Sequence, residues 1–232
     1  MSSLHAESIR LLLARVVVPK RRTALPGGTL LDRAYTLLNQ ATALVLILLM
    51  APVFIYIAWR IWREDGAPVT FAHYRVGHRG RLFRCFKFRT MVRRADVVLA
   101  ELLASDPRAR AEWERDHKLR DDPRITAIGA FLRKTSLDEL PQLFNMLRGE
   151  MHLVGPRPVT VPEMARYGSR KRHYLTVRPG VTGLWQVSGR NNTTYQARVQ
   201  FDADYVERRN PLLDLWIVAR TVKVLLTREG AH

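Results

Sequence analysis

The sequence predicts an α+β protein: a membrane re-entrant hairpin (helix–break–helix), then a compact, mostly helical body carrying a small β-hairpin. Three observations predict it. Residues Ala41–Ala58 hold no charge and contain Pro52. Two stretches, Val69–Arg75 and Leu82–Phe88, are rich in β-branched and aromatic residues and flank the turn Val76-Gly77-His78-Arg79-Gly80. Most of the remaining chain places its apolar residues at helical spacing. The expected division is a basic tail over 1–28, a membrane segment over 29–66 and the body over 67–232.

Composition agrees with such segregation. Hydrophobic residues make up 47% of the 232 residues and charged residues 25%, and the mean hydropathy is −0.15. A formal charge of +17 calls for a polyanionic partner: nucleic acid, anionic lipid or a phosphorylated substrate. The single Cys85 excludes an internal disulfide and a cysteine-rich zinc site. In the tail, Arg10, Arg15, Lys20, Arg21 and Arg22 surround apolar pieces too short to span a bilayer. The longer apolar run comes too late for a signal peptide.

That run, about 18 residues long, has the length of a membrane helix. Tyr56, Trp59 and Trp62 suit an interface. Arg21, Arg22 and Arg33 precede it, and Arg60, Arg63 and Arg75 follow it. Basic flanks on both sides place both ends in the cytoplasm, and Pro52 at mid-run supplies a kink. A segment that dips into one leaflet and returns satisfies both facts; a straight span is the alternative.

In the body, the first strand covers Val69–Arg75 and the second Leu82–Phe88. Helices follow over Ala95–Ala104 and Ala109–Leu119, separated by Asp106-Pro107. Asp121-Asp122-Pro123-Arg124 reads as a turn rather than a metal site. A short helix is expected over Val161–Tyr167, then the basic cluster Arg170-Lys171-Arg172, and longer helices over Tyr195–Glu207 and Leu212–Leu226.

Between these lies the chemically dense stretch Arg133–Pro158. Asp138 and Glu139 are adjacent carboxylates, with Arg133 and Lys134 before them and Arg148 and Arg157 after. Ser136-x-x-Glu139 has the spacing of a capping box, and Pro141 is tolerated only near a helix start. Both carboxylates are therefore expected in the first turn of a short helix, where the dipole favours anions. They either complement that dipole on a surface or form a metal–phosphate site. The cations and the rigid turn Gly155-Pro156-Arg157-Pro158 favour the site. Lys87-Phe88-Arg89 offers two cations that strand alternation would turn to one side. In Arg178-Pro179-Gly180, glycine permits close backbone approach and the guanidinium can meet a phosphate.

These motifs resemble, in order, those of the bacterial polyprenyl-phosphate sugar-1-phosphate transferases, the monotopic phosphoglycosyl transferases. The matching stretches are Lys87-Phe-Arg-Thr-Met91, the Asp138-Glu139 stretch, Gly155-Pro-Arg-Pro158 and Arg178–Arg190. The resemblance covers roughly Leu30 to the C-terminus. It implies transfer of hexose-1-phosphate from a UDP-sugar to undecaprenyl phosphate, with release of UMP, at the start of exopolysaccharide, capsule or O-antigen assembly. It implies Asp138 as nucleophile and Glu139 as a metal-linked carboxylate. Lys87, Arg89, Arg133, Arg157 and Arg178 would hold phosphates. Mg²⁺ is the implied cofactor, held by Asp138, Glu139 and Asp202, the last aligning with an acidic family position. The implied location is the bacterial inner membrane with the catalytic body on its cytoplasmic face. Partners would be UDP-sugar, undecaprenyl phosphate and membrane lipids, without nucleic acid; a homodimer is left open. The family's helix break falls at Pro52, here preceded by Ala51 where many relatives have Ser. Asn191-Asn192-Thr193-Thr194-Tyr195 resembles the neutral-hexose subgroup and favours galactose, then glucose. The rival reading is a membrane-tethered nucleic-acid-binding or scaffold protein, which the charge allows but for which no recognised module is present.

Overall fold

The computed structural model describes residues 30–188 and 194–227. The basic tail and the Gly189-Arg190-Asn191-Asn192-Thr193 part of the late motif lie outside them. The fold is helix-rich and mixed, with a small two-stranded sheet and one long apolar helix. It divides into two compact units. One holds the stretches up to Ala51, Ala72–Phe86 and from Pro141 onward; the other holds Pro52–Phe71 and Lys87–Leu140.

Helix α1, Leu30–Asp65, runs on through Pro52 as one helical element. The expected interruption is confined to the hydrogen-bond ladder. Proline has no N–H, so the bond to the carbonyl four residues earlier is missing while helical dihedrals continue. The helix is long and apolar enough to cross a membrane.

In the first unit, the opening turns of α1 carry a polar stripe at i, i+3, i+4, i+7 and i+8: Asp32, Tyr35, Thr36, Asn39 and Gln40. Each reaches the body. Tyr35 donates to Asp214, Thr36 meets His152 Nε2 at 3.3 Å, and Asn39 Oδ1 accepts from the Leu153 N–H at 2.7 Å. Gln40 donates to the Leu147 carbonyl at 2.9 Å, and Asp32 pairs with Arg178 at 3.5 Å. The other faces expose Leu30, Leu31, Leu37 and Leu38.

Strands β1, Thr70–Val76, and β2, Leu82–Phe88, pair in a sheet across the one-turn 3-10 helix His78–Gly80. A second, parallel pair joins β3, His152–Val154, to β4, Gly180–Thr182. This pair brings together two motifs far apart in sequence. The Gly155 N–H donates to Thr182 and the Gly180 N–H to Pro156, both at 2.9 Å. A Cβ on Gly180 would lie 2.1 Å from the Gly155 nitrogen, so only glycine permits this approach.

Short helices α5, Gln142–Leu147, α6, Val161–Ala165, α7, Lys171–Leu175, and α8, Leu184–Val187, surround that pair. The long α9, Tyr195–Arg208, and α10, Pro211–Thr227, complete the unit. One core gathers Trp185, Phe201, Tyr205, Leu213 and Ile217. A second gathers Val76, Val159, Met164, Tyr167, Tyr174 and Val199.

In the second unit, Ile57 and Ile61 of α1 pack with Phe88, Ile128 and Leu132. Helices α2, Ala95–Ser105, and α3, Pro107–Asp116, meet at Asp106, which caps α3 by accepting from the Arg108 and Ala109 N–H groups. Asp122 holds Arg124 through two bonds of 2.8 and 2.7 Å, the expected turn role. Helix α4, Ala127–Thr135, is capped at its N-terminus by Thr126 and by Glu64 from the end of α1.

Candidate active site

Helix α4 ends at Ser136, whose φ of 58° is left-handed. A 3-10 turn, Leu137–Glu139, follows, and α5 begins only at Gln142. The expected capping box at Ser136 is therefore not formed: an N-cap needs an extended backbone, and Ser136 is instead the C-cap of α4. Among the described residues, Thr160 with Glu163 forms a capping box. The carboxylates thus occupy a turn between two helices, not the first turn of one. At three residues per turn, Leu137 and Leu140 share a face, and both pack against the Ile57–Leu132 core. That burial turns Asp138 and Glu139 the other way.

There they meet Lys87, near the end of β2. Its ammonium lies 3.1 Å from Asp138 Oδ2 and 2.7 Å from Glu139 Oε1. The Asp138 side chain is 13% exposed and that of Glu139 27%, so Asp138 is the more desolvated. Burial raises its pKa above the ordinary carboxylate value, and the neighbouring Glu139 adds to this; Lys87 and Arg133 oppose it. Arg133 is oriented by Thr90, whose hydroxyl accepts from Nε at 2.9 Å. Thr90 is itself pinned, since a Cβ on Gly129 would fall 2.1 Å from its carbonyl oxygen.

Arg89 departs from the alternation expected of it. Strand β2 ends at Phe88, so the pleat no longer sets the direction at 89. The guanidinium is buried at the end of α1, donating to the carbonyls of Asp65 and Gly66 at 3.2 and 2.8 Å and pairing with the Asp65 carboxylate. It fastens the helix end.

The other expected residues belong to the first unit. Arg157 stacks on Trp185 at 5.4 Å, and Arg198 on the same ring at 4.5 Å. Arg178 turns elsewhere, donating to the Gly149 carbonyl at 2.8 Å and pairing with Asp32. Asp202 is buried, and its Oδ2 accepts from the Tyr167 hydroxyl at 2.6 Å. Burial pushes its pKa up to about 7, outweighing the Tyr167 bond and the Arg157 and Arg198 charges. These surroundings suit a structural carboxyl, and the expectation that Asp202 joins the metal ligands rests on the motif alone. Among the described residues no group of three or more His, Cys, Asp or Glu is gathered as a metal site. The Asp138–Glu139 pair nevertheless fits Mg²⁺, which takes one or two carboxylates and completes its shell with water and substrate phosphates. The Lys87 ammonium bridges the two carboxylates.

Sequence reasoning missed Asn145. It is fully buried; its Oδ1 accepts from the Phe86 N–H at 3.0 Å and its Nδ2 donates to the Arg84 carbonyl at 2.7 Å. It thereby fixes β2 one residue before Lys87. The available signal was an amide inside an otherwise apolar helical run.

The profile of the bacterial sugar transferase family matches residues 32–228. The chain belongs to that family. Among its relatives, an undecaprenyl-phosphate galactose phosphotransferase of Salmonella typhimurium is 53% identical over 190 residues, 82% of this chain and 40% of the relative. An exopolysaccharide production protein, ExoY, of Sinorhizobium fredii is 43% identical over 93% of this chain and 94% of its own length. A UDP-glucose:undecaprenyl-phosphate glucose-1-phosphate transferase of Caulobacter vibrioides is 37% identical over 90% and 78%. The chain spans about two fifths of the length of the first of these. All the dyad and arginine positions above fall within the matched residues.

Proposed function

We propose that this transferase moves hexose-1-phosphate from a UDP-hexose, galactose first and glucose next, to undecaprenyl phosphate. It thereby starts assembly of an exopolysaccharide, capsule or O-antigen. The observation that carries the reading is the Asp138–Glu139 pair held by Lys87. An Asp138 oxygen attacks the phosphorus bearing the sugar, the P–O bond to the nucleotide breaks, and UMP leaves with the bond electrons. The lipid phosphate then attacks the same phosphorus and frees Asp138, yielding the polyprenyl-diphosphate sugar. Lys87 favours the ionised form of Asp138 against its desolvation, and Arg133 adds positive charge beside the reacting group. Mg²⁺ at Asp138 and Glu139 would neutralise the diphosphate. The galactose and glucose transferases among the relatives support the choice of sugars. No described feature favours a nucleic-acid-binding or scaffold role. The test is incubation with a UDP-sugar panel and Mg²⁺ without lipid. UMP release and a mass gain of one sugar phosphate on Asp138 are expected, and an adduct on another residue would sink the assignment.

The same reading includes a re-entrant placement of α1 in the inner membrane, with the body on the cytoplasmic face. Both ends of the helix are packed against protein: the Asp32–Gln40 stripe at one, the Val53–Ile61 positions at the other. About a dozen residues lie between, roughly 18 Å of helix, well short of the ~30 Å hydrocarbon thickness. In that interval Leu44, Val45, Leu48 and Leu49 are exposed. Cysteine labelling near Arg22 and near Arg63 should reach both from the cytoplasmic side; access from opposite faces would mean a span. Two copies in one assembly would be visible as a doubled mass in native mass spectrometry.

A further inference from the structure

The first unit contains a cleft of about 470 Å³ between the 3-10 turn of the hairpin and the first turn of α1. Five arginines line it: Arg33, Arg79, Arg81, Arg148 and Arg178. Against them stand only Asp32, engaged by Arg178, and Glu150, which accepts from Asn145 at 2.6 Å. Arg148 is braced on Phe86 at 4.8 Å. Arg79 is delivered from a left-handed backbone, φ 56°, a conformation that persists only where its surroundings impose it. The cleft also holds His78, whose pKa is lowered by burial and by Arg178 and Arg79, so it adds no proton to this charge at neutral pH.

A second cleft, of about 300 Å³ and mostly apolar, adjoins the first and shares Asp32 and Arg178 with it. Leu31, Val154, Val177 and Val206 contribute its apolar wall. A cationic chamber beside an apolar one matches an amphiphile with an anionic head. Its position matters equally. Leu30 and Leu31 are 83% and 70% exposed on the same first turn of α1, so this turn lies at headgroup level if the helix enters a bilayer.

We propose that the arginine cleft binds the phosphate of an anionic bilayer phospholipid, with part of its tail along the apolar cleft. The proposal rests on the membrane placement of α1 and not on the chemistry at Asp138. A free nucleotide diphosphate would use the cationic chamber but not the apolar one. An anionic phospholipid uses both, and it is present at the surface at high effective concentration.

The test is native mass spectrometry of the full chain released from nanodiscs of phosphatidylcholine with a minor share of phosphatidylglycerol. The wild type should retain phosphatidylglycerol preferentially. The Arg79→Ala/Arg81→Ala pair removes two cations from an exposed turn and should weaken retention by about thirty-fold, at roughly five- to sixfold per surface cation. The Arg79→Lys/Arg81→Lys pair should restore most of it. UMP release from UDP-sugar without acceptor should stay within about twofold of wild type in both variants. Equal retention in wild type and alanine variant would overturn the proposal. So would displacement of phosphatidylglycerol by stoichiometric undecaprenyl phosphate, which would give the cleft to the acceptor. Competition by inorganic phosphate as strong as by lipid would remove the apolar part. Loss of UMP release in the folded alanine variant would assign the cleft to the nucleotide sugar.

Discussion

Asp138 and Asp202 are both aspartates in recognisable motifs, both have pKa values raised by burial, and they differ in the depth of that burial and in what touches the carboxylate. Asp138 faces an ammonium that also holds Glu139. Asp202 faces a tyrosine hydroxyl inside a core. A cation beside a partly desolvated carboxylate keeps it anionic and reactive. At Asp202 burial outweighs the Tyr167 hydrogen bond and the Arg157 and Arg198 charges, and the carboxyl takes up a proton more readily. The comparison teaches that burial alone does not mark a chemical carboxylate; the partner does.

The largest effect expected from breaking this contrast is at Asp138. Asp138→Asn should lower UMP release by about 10⁴-fold or more and abolish the covalent adduct, as for loss of a nucleophile. Near wild-type turnover would end its assignment. Glu139→Gln should be severely impaired as well, and added Mg²⁺ should recover only part of the loss. Lys87→Met tests the partner directly. We expect a fall of about 10²-fold in rate, the scale for one preorganised electrostatic contact. Lys87 lowers the Asp138 pKa, so its removal raises that pKa further. The acid limb of the pH–rate profile should therefore move to higher pH, and an unmoved limb would show that Lys87 does not ionise Asp138.

Asp202→Asn should act on stability instead. The folded pKa is about 7, against an unfolded value near 3.9. Between these values the native state binds more protons, so wild-type stability falls as pH rises through that window. The neutral variant is free of this loss. Its melting temperature should match wild type near pH 4 and exceed it by several degrees near pH 8, at about 2–4 °C per kcal/mol for a chain of this size. The Mg²⁺ concentration for half-maximal rate should not change; an increase would place Asp202 among the metal ligands.

Smaller effects sharpen the picture of how the carboxylates are carried. Asn39→Leu strands the half-buried Leu153 N–H and should cost about 1–3 kcal/mol, read by chemical denaturation in detergent. Ser136→Gly relieves a left-handed serine and should gain a few tenths of a kcal/mol, offset in part by the freer unfolded chain. A side-chain N-capping role for Ser136 would instead make the same change costly.

The elements were largely legible in the sequence. Strand alternation located β1 and β2, and helical spacing located α9 and α10, because local periodicity reports which face is buried. The adjacent carboxylates, the bracketing cations and the apolar run were visible as residue types, and the motif order already resembled the family that the profile match establishes. Tertiary structure alone decided which cation meets which carboxylate. Lys87 and Arg89 look equivalent two residues apart, yet the strand ends between them, and one reaches the dyad while the other fastens α1. Ser136 and Glu139 have the spacing of a capping box, but the backbone of Ser136 belongs to the helix before. The polar stripe Asp32–Gln40 sits at plain helical spacing, and only its partners on the body show it to be a docking face. Spacing along a chain specifies direction relative to its own axis. What a side chain touches depends on which segments the core brings alongside, and that is set by packing over the whole chain.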